Sequence, residues 1–388
     1  MEEIMSKEKS KIDFKKLLKT DIKDLKIGKL KKIKKRKVNR KQKKIKVISF
    51  DIGSYFIKAV VGTYYKDNLT IENYYKIKTP IDSVVDGEIK KEKRLANKLK
   101  SFLKENNIKV KYGTFTTNSS LIINREVIIP KVEEEELETV VRYEIQQYLP
   151  INLDDYIIQV KIINEIFSDE GIKLNIRAIA YPNKLAIKYY NLLKEIDLKP
   201  YVLDVNYNSV NKFINYIGFV DLAYKKHNVI CMIDLGYDSI NVNIYKNGQI
   251  DFTRIIKSGG KDMETLLSDN DDFHVFIKEA KIENDKFICI GINEYLTNEV
   301  KEIIDEWLEK IEKIINYYNN KNLNNKIDCI YIFGGASNIS GFEKYFSDKL
   351  GINTKKVTNM NKSTFNSHDD GSYIDEYINA IGALIRIY

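Results

Sequence analysis

The feature that most constrains this chain is a short motif that occurs once in each half of the sequence. Val47 to Phe50 forms an apolar run before the turn Asp51-Ile52-Gly53, and Val229 to Ile233 forms one before Asp234-Leu235-Gly236. The residues after each turn return to a strand pattern. Acid-x-Gly turns are common at strand ends, so one alone carries little information. Two in matching contexts predict two lobes built on the same plan.

Such a pair of turns suits a phosphate chain bound with a divalent cation. A P-loop, GxxxxGK[ST], is absent from the sequence, so a different phosphate cradle is needed. In a clasp between two lobes, backbone amides of each turn face the phosphates and a carboxylate orders the water shell of the metal. Glycine is required because a Cβ atom would block that approach. We predict that Asp51 and Asp234 hold Mg2+ through its water ligands. The predicted phosphate contacts are Gly53, Ser54 and Gly236.

Together with a later strand that breaks into Gly334-Gly335-Ala336-Ser337, the paired turns resemble the superfamily of actin, Hsp70 and the sugar kinases. The resemblance implies that Lys58, seven residues after Asp51, contacts a phosphate. An outward-facing strand lysine is the alternative. It also implies that Gly334, Gly335 and Ala336 form the loop on the adenosine side, where small residues let the nucleoside lie against backbone. The alternative there is a plain turn between a strand and a helix.

Within this superfamily, four segments resemble PilM, the actin-like protein on the cytoplasmic side of type IV pilus machines. The resemblance covers about residues 46 to 388 and leaves the N-terminal tail unmatched. Its most specific part is a helix predicted over residues 131–149, with the acidic residues 133–136 at its start. This helix bears Glu144, Gln147 and Tyr148 and closes in Leu-Pro before a long strand. The four segments are Phe50 to Ser54 with Ile57 to Val60, Val141 to Pro150, Pro200 to Asp204, and Phe252 to Gly260.

Resemblance to PilM implies an α/β protein with the actin-like (ribonuclease H-like) two-lobed ATPase fold and an inserted small α/β subdomain, as in FtsA and PilM. It implies ATP and Mg2+ in the cleft, and a groove near the inserted subdomain for the N-terminal peptide of a PilN-like membrane protein. Contacts with other pilus platform and motor proteins would follow. The implied function is a cytoplasmic ATP-binding adaptor, peripheral to the cytoplasmic membrane, that links the platform to the motors.

Two other functions use the same clasp, because a fold does not determine a function. A cell-division filament protein resembling FtsA shares the fold but carries its membrane-binding amphipathic helix at the C-terminus. Here residues 373–388 have the pattern of a packed last helix. A small-molecule kinase would need a catalytic Asp and a sizeable sugar pocket, for which the sequence offers no convincing residues. We therefore rank the pilus adaptor first.

Two departures from the family pattern concern ATP hydrolysis more than the fold. Asn206 stands after Asp204 where relatives usually carry an acid, and an amide cannot act as a general base. The stretch over residues 260–280 is short and lacks the Ala-Glu-x-x-Lys pattern that supplies ribose and base contacts, so Glu279 or Lys281 would have to substitute. We predict nucleotide binding with at most weak ATPase activity and assign no catalytic residue.

The net charge of +9 belongs to the N-terminal tail. Residues 1–46 carry 20 Lys and Arg against 6 Asp and Glu. The remainder of the chain carries 44 Lys and Arg against 49 Asp and Glu. Apolar residues at helical spacing over 11–26, followed by a basic run over 29–46, suit contact with an anionic membrane surface. A solvated, disordered extension is the alternative. Nucleic acid is not expected as a partner, because no aromatic residues interleave with the charge.

The strand and helix patterns divide the chain into a tail, two lobes and an insertion. The three cysteines lie in apolar runs without metal-like spacing, and the three histidines are isolated, so no further metal site is expected. No run reaches the roughly 18 apolar residues of a membrane span, so we expect the body to stay in the cytoplasm. The predicted parts are the tail, 1–46; the first lobe, 47–123, 204–222 and 362–388; the inserted subdomain, 124–203; and the second lobe, 223–361.

Overall fold

The computed structural model describes most of the chain beyond the basic tail. The predicted amphipathic helix, and nearly all of the basic run after it, lie outside the described residues. Within the described part, no helix is long and apolar enough to cross a membrane. The described residues are 44–148, 151–169, 171–220, 229–267, 272–289, 294–323, 325–357 and 374–386.

The first lobe is built on a five-stranded mixed sheet. Its strands are β1 (Lys46–Ile52), β2 (Phe56–Tyr65), β3 (Asn68–Lys78), β6 (Tyr112–Thr117) and β10 (Lys199–Val205), and a small hairpin of β4 (Val84–Val85) and β5 (Glu88–Ile89) follows β3. The sheet order is β10-β6-β1-β2-β3. β1 to β3 form an antiparallel meander, whereas β6 is parallel to β1 and to β10. β1 is buried on both faces, which explains its continuous apolar run.

Four helices cover the two faces of this sheet. They are α1 (Glu92–Glu105), α3 (Asn183–Glu195), α4 (Asn206–Val220) and α9 (Ile378–Leu384). α1 and α3 pack on one face, and α4 and α9 pack on the other. α1 buries Leu95, Leu99 and Phe102 at three- and four-residue steps, as an amphipathic helix does. α9 is buried along its whole length, in agreement with its pattern of a packed last helix.

The second lobe repeats the plan of the first. Its sheet contains β11 (Val229–Leu235), β12 (Ile240–Lys246), β13 (Gln249–Ile256), β16 (Cys329–Phe333) and β17 (Thr354–Lys356). The order β13-β12-β11-β16-β17 again sets an antiparallel meander beside parallel strands. The two Asp-aliphatic-Gly motifs therefore hold equivalent places, each at the C-terminal end of the central strand of its lobe.

The helices of the second lobe pack into one hydrophobic core. They are α5 (Gly260–Glu264), α6 (Phe273–Glu279), α7 (Glu294–Lys321) and α8 (Phe342–Leu350), and a hairpin of β14 (Lys281–Glu283) and β15 (Lys286–Ile288) lies between α6 and α7. α7 buries Trp307 completely in the core of the lobe. The indole Nε1 of Trp307 donates a hydrogen bond of 2.9 Å to Ser258 Oγ, so this polar atom is satisfied although it is buried.

An inserted subdomain follows β6. It consists of β7 (Ile123–Pro130), α2 (Leu137–Tyr148), β8 (Tyr156–Ser168) and β9 (Gly171–Pro182), with an antiparallel sheet in the order β7-β9-β8. α2 packs Val141 and Ile145 onto this sheet. α2 begins at Leu137, so the acidic residues 133–136 precede the helix instead of forming its first turn. The predicted insertion at 124–203 also includes α3 and most of β10, which pack with the first-lobe sheet. The domain boundaries stay a prediction.

Candidate nucleotide-binding cleft

The two Asp-Gly turns meet in an open cavity between the lobes. Its empty volume, which includes space open to solvent, is about 1050 Å³. The structure therefore brings together residues from distant parts of the chain, although their contacts with a ligand stay a prediction. All the site residues predicted from the sequence line this cavity: Asp51, Gly53, Ser54, Lys58, Asp234, Gly236, Gly334, Gly335 and Ala336.

The two carboxylates lie close to each other and share one hydrogen-bond donor. Nδ2 of Asn379, on α9, lies 3.3 Å from Asp51 Oδ2 and 3.0 Å from Asp234 Oδ2. Asp51 and Asn379 are both buried. Two nearby carboxylates repel each other, and a positive group or a hydrogen-bond donor between them offsets that repulsion. Sequence reasoning missed Asn379, because its segment gave only the pattern of a packed helix and contains no recognisable motif.

Burial makes negative charge costly at both positions. It raises the pKa of Asp51 above its usual value, and the ammonium group of Lys58 opposes that rise. Burial, followed by the charge of Asp51, raises the pKa of Asp234 to about 6. Without a cation, the site therefore keeps its charge at a free-energy cost. A bound positive ion would remove that cost.

The strand register places a polar side chain opposite each carboxylate. Lys58 on β2 pairs with Asp51 on β1, and Asn241 on β12 pairs with Asp234 on β11. Lys58 lines the cavity, and its contact with a phosphate stays a prediction. Asn241 Oδ1 accepts a hydrogen bond of 2.6 Å from Asn118 Nδ2, which ties the second lobe to the segment after β6. The residues at these equivalent positions therefore differ in their contacts: both line the cavity, and Asn241 also bonds to the other lobe.

Asn206 begins α4 and lies beside the first carboxylate. Its Oδ1 accepts a hydrogen bond of 2.8 Å from Thr116 Oγ1. This contact sets the amide orientation, so that Nδ2 faces Asp51 Oδ1 at 3.4 Å. Asn206 therefore helps to orient Asp51 and offers no basic group to an attacking water.

Close backbone approach explains three of the predicted glycines. A Cβ atom at Gly53 would lie 2.6 Å from Phe56 O, and one at Gly236 would lie 2.6 Å from Ser239 O. Gly334 has a φ of +92°, and its Cβ would lie 2.4 Å from Asp234 Oδ1. Gly335 differs, because no described atom lies within 4 Å of an added Cβ. The backbone of Gly335 therefore faces open space in the cavity.

The segment after β13 supports the second turn through its backbone. Gly260 N donates to Gly236 O at 3.0 Å, and Lys261 N donates to Tyr237 O at 2.9 Å. A Cβ atom at Gly259 would lie only 2.5 Å from Tyr237 O. A glycine at position 259 is therefore required for α5 to approach the second turn.

An aromatic contact joins the two turns across the cleft. Tyr55 in the first turn packs on Tyr237 in the second, with ring centroids 4.7 Å apart. Phe273 of α6 meets both rings edge-on, and Lys78 Nζ lies 3.0 Å from the centroid of Tyr55. Sequence reasoning missed this cluster, although each tyrosine stands within two residues of a predicted glycine.

A polar network that sequence reasoning also missed lines another part of the cavity. Lys76 on β3 forms an ion pair with Glu376, which lies in the short 3₁₀ turn Ile374–Tyr377. The Nζ atom of Lys76 also lies 3.4 Å from His274 Nε2. Burial favours the neutral acid, but the Lys76 ammonium group holds the pKa of Glu376 below its usual value. Glu279 and Lys281, considered above for ribose and base contacts, are not among the described residues that line the cavity.

The residues of the cleft fit a hydrated Mg2+ ion that shares its coordination with phosphate oxygen atoms. Mg2+ keeps several waters and is usually bound by one or two carboxylates together with substrate phosphates. The described residues contain no cluster of three or more His, Cys, Asp or Glu side chains that could enclose a metal by themselves. Asp51 and Asp234 match the first arrangement, since positive charge would stabilise the ionised forms of the buried Asp51 and the partly buried Asp234.

Two lobes of equal topology, with an inserted subdomain and a cleft between paired carboxylates, define the actin-like class of two-lobed α/β proteins, as the sequence predicts. Residues 49–382 match the family described as type IV pilus assembly protein PilM. The chain therefore belongs to the PilM family, and its role lies in type IV pilus assembly.

Solved structures agree with this fold. One, described as the PilM-PilN type IV pilus biogenesis complex, aligns over 88% of this chain and 98% of its own with a TM-score of 0.72 and 18% sequence identity. Another, the ethanolamine utilization protein EutJ from Carboxydothermus hydrogenoformans, aligns over 87% and 88% with a TM-score of 0.50 and 12% identity. At these identities the likeness establishes the shared actin-like fold.

Proposed function

We propose that this chain is an ATP-binding adaptor that links the membrane platform of the pilus machine to its cytoplasmic motors. The observation that carries the nucleotide part is the meeting of Asp51 and Asp234, from equivalent strand ends, beside two glycine turns. When bound, Mg2+ supplies positive charge that offsets the phosphates and the two carboxylates. Asp51 and Asp234 hold that ion through water, and the phosphate contacts come from Gly53, Ser54, Lys58 and Gly236.

The nucleoside end of the ligand lies against the loop after β16. Gly334, Gly335 and Ala336 line the same cavity as the two turns. The space beside Gly335 supports this orientation, because a ring or ribose can approach its backbone without meeting a side chain.

Hydrolysis is weak in this proposal. Asn206 holds Asp51 in place by donating a hydrogen bond, and its own oxygen is occupied by Thr116. It therefore cannot accept a proton from water. The nucleotide serves to set the conformation of the adaptor.

The partner in the membrane platform is a PilN-like protein whose N-terminal peptide binds near the inserted subdomain. The likeness to a chain of a structure described as the PilM-PilN type IV pilus biogenesis complex supports this partner. Other platform proteins and the motors are further partners in this proposal. Residues 1–46 add contact with anionic lipid through their excess of positive charge, which keeps the protein at the cytoplasmic side of the membrane. The family match favours this function over an FtsA-like filament or a small-molecule kinase.

Calorimetric titration with Mg-ATP tests the nucleotide site. A Cβ at Gly335 meets no atom of the described residues within 4 Å, so Gly335→Ala should leave the melting temperature near that of the wild type. It should weaken Mg-ATP binding by about tenfold or more through overlap with the nucleoside. Gly218→Ala, whose Cβ also meets no described atom within 4 Å, is the matched control and should bind normally. Normal binding by Gly335→Ala would place the nucleoside elsewhere.

A second pair of variants tests the metal carboxylates. Asp51→Asn should abolish the Mg2+ dependence of nucleotide binding, whereas Asp348→Asn, which removes a surface helix carboxylate that pairs with Lys344, should not.

Peptides from the N-termini of PilN-like proteins of the same genome should then be titrated with and without Mg-ATP. If no peptide binds under either condition, the adaptor function is wrong, whatever the nucleotide result.

A further inference from the structure

One side chain lies between the two carboxylates of the cleft. Asn379 is 5% exposed, and its Nδ2 donates to Oδ2 of Asp51 and Oδ2 of Asp234. An amide NH2 group carries two hydrogen atoms, so it can serve both acceptors at once. An ionised carboxylate only accepts hydrogen bonds, so the nitrogen of the amide must face the pair.

The oxygen of the same amide accepts no hydrogen bond from the described residues. Within the described residues, Asn379 Oδ1 is buried and has no hydrogen-bond partner. A buried oxygen without a donor carries a free-energy cost. The two carboxylates are therefore what keeps the side chain in this orientation, and no other side-chain hydrogen bond among the described residues has to break when it turns.

We propose that Asn379 is a stand-in for the cation of the cleft. Its NH2 group bridges Asp51 and Asp234 while the site holds no ion, and it gives them up when a divalent cation binds. The inference rests on the proposed function, since that function assigns a divalent cation to these carboxylates. Asn379 is thus a positioning residue that competes with the ion for the same two partners.

The competition also changes what joins the two lobes. Asn379 and Asp51 belong to the first lobe, whereas Asp234 ends the central strand of the second. The 3.0 Å bond from Asn379 to Asp234 is therefore a contact between lobes, and the 3.3 Å bond to Asp51 lies within one lobe. Once the amide releases Asp234, this hydrogen bond between the lobes is lost.

Asn379→Ala tests the competition, with Asn215→Ala as the matched control. Asn215 also donates Nδ2 to two acceptors, Asn211 O and Gly248 O, and the second of these also crosses from the first lobe to the second. It does not line the cleft. Both variants should melt at a lower temperature than the wild type in EDTA. Only Asn379→Ala should bind Mg2+ more tightly in calorimetry, by about tenfold, because the ion no longer has to replace a hydrogen bond to a charged group.

Asn379→Ser keeps the test decisive if the alanine variant does not fold, since a hydroxyl offers one donor and cannot bridge both acceptors. In wild-type protein, the side-chain NH2 resonances of Asn379 should shift on addition of Mg2+, whereas those of Asn215 should not. Unchanged or weaker Mg2+ binding by a folded Asn379 variant overturns the inference while leaving the proposed function in place. If neither the wild type nor the variants bind Mg2+ or Mg-ATP, the proposed function itself fails.

Discussion

Replacing Asp234 with asparagine should stabilise the ion-free protein, although the residue lies at the centre of the proposed site. The pKa of Asp234 rises from 3.8 to about 6 on folding, first because of burial and then because of the charge of Asp51. A raised carboxyl pKa gives stability that is fully present below pH 3.8 and is lost as pH rises through about 6. The shift of about two units corresponds to at most about 3 kcal/mol. The Asp234→Asn variant would avoid this loss, and its amide oxygen could still accept the hydrogen bond from Asn379.

The measurement is urea unfolding in EDTA, followed by circular dichroism between pH 4 and pH 8. The variant should unfold at higher urea than the wild type at pH 8, and this advantage should shrink steadily to near zero at pH 4. Saturating Mg-ATP should reverse the order at pH 8, because only the wild type gains from the ion. An advantage that does not change with pH, or a variant that is less stable at pH 8, would refute the electrostatic reasoning. Asp348→Asn should follow the wild type throughout, since its carboxylate lies on the surface.

Three further predictions address the turns around the site. A double-mutant cycle of Tyr55→Ala and Tyr237→Ala should give a coupling of about 0.5–1.5 kcal/mol in unfolding, since the rings touch across the lobes; additive effects would show that the contact is not made in solution. Gly334→Ala should cost about 1–3 kcal/mol more than Gly351→Ala, because both have positive φ but, among the described residues, only a Cβ at Gly334 lies within 4 Å of other atoms; equal melting temperatures would contradict this. Asn206→Ala should leave ATP turnover at the wild-type level in a phosphate-release assay, and a strong wild-type rate that disappears in this variant would show that Asn206 takes part in catalysis.

The sequence alone was sufficient to predict those parts of the site whose residues are consecutive in the chain. An apolar strand, an acid and a glycine are consecutive in the chain, so Asp51 with Gly53 and Asp234 with Gly236 could be predicted from pattern alone. Their occurrence in both halves predicted the duplicated sheet, which is confirmed. The small residues after β16 could be found in the same way, because they also follow a buried strand directly.

The remainder of the site depends on contacts that no local pattern records. Asn379 reaches Asp51 across 328 positions and Asp234 across 145, and it lies in a helix whose other residues are simply core. Glu376 and Lys76 meet only because the C-terminal segment returns to the first lobe. The start of α2 could not be fixed for a different reason: residues 133–136 are acidic and offer no apolar side chain to bury, so the helix begins where Leu137 can pack.

The buried indole in the second lobe gives the protein a built-in optical reporter. Trp307 is the only tryptophan in the chain, and its Nε1 is bonded to Ser258 Oγ. Ser258 directly precedes Gly259, which the second turn touches through Tyr237 O. A ligand that shifts this turn should therefore alter the hydrogen bond to the indole and with it the emission wavelength. Ligand binding and lobe movement could then be followed in the wild-type protein without an attached dye.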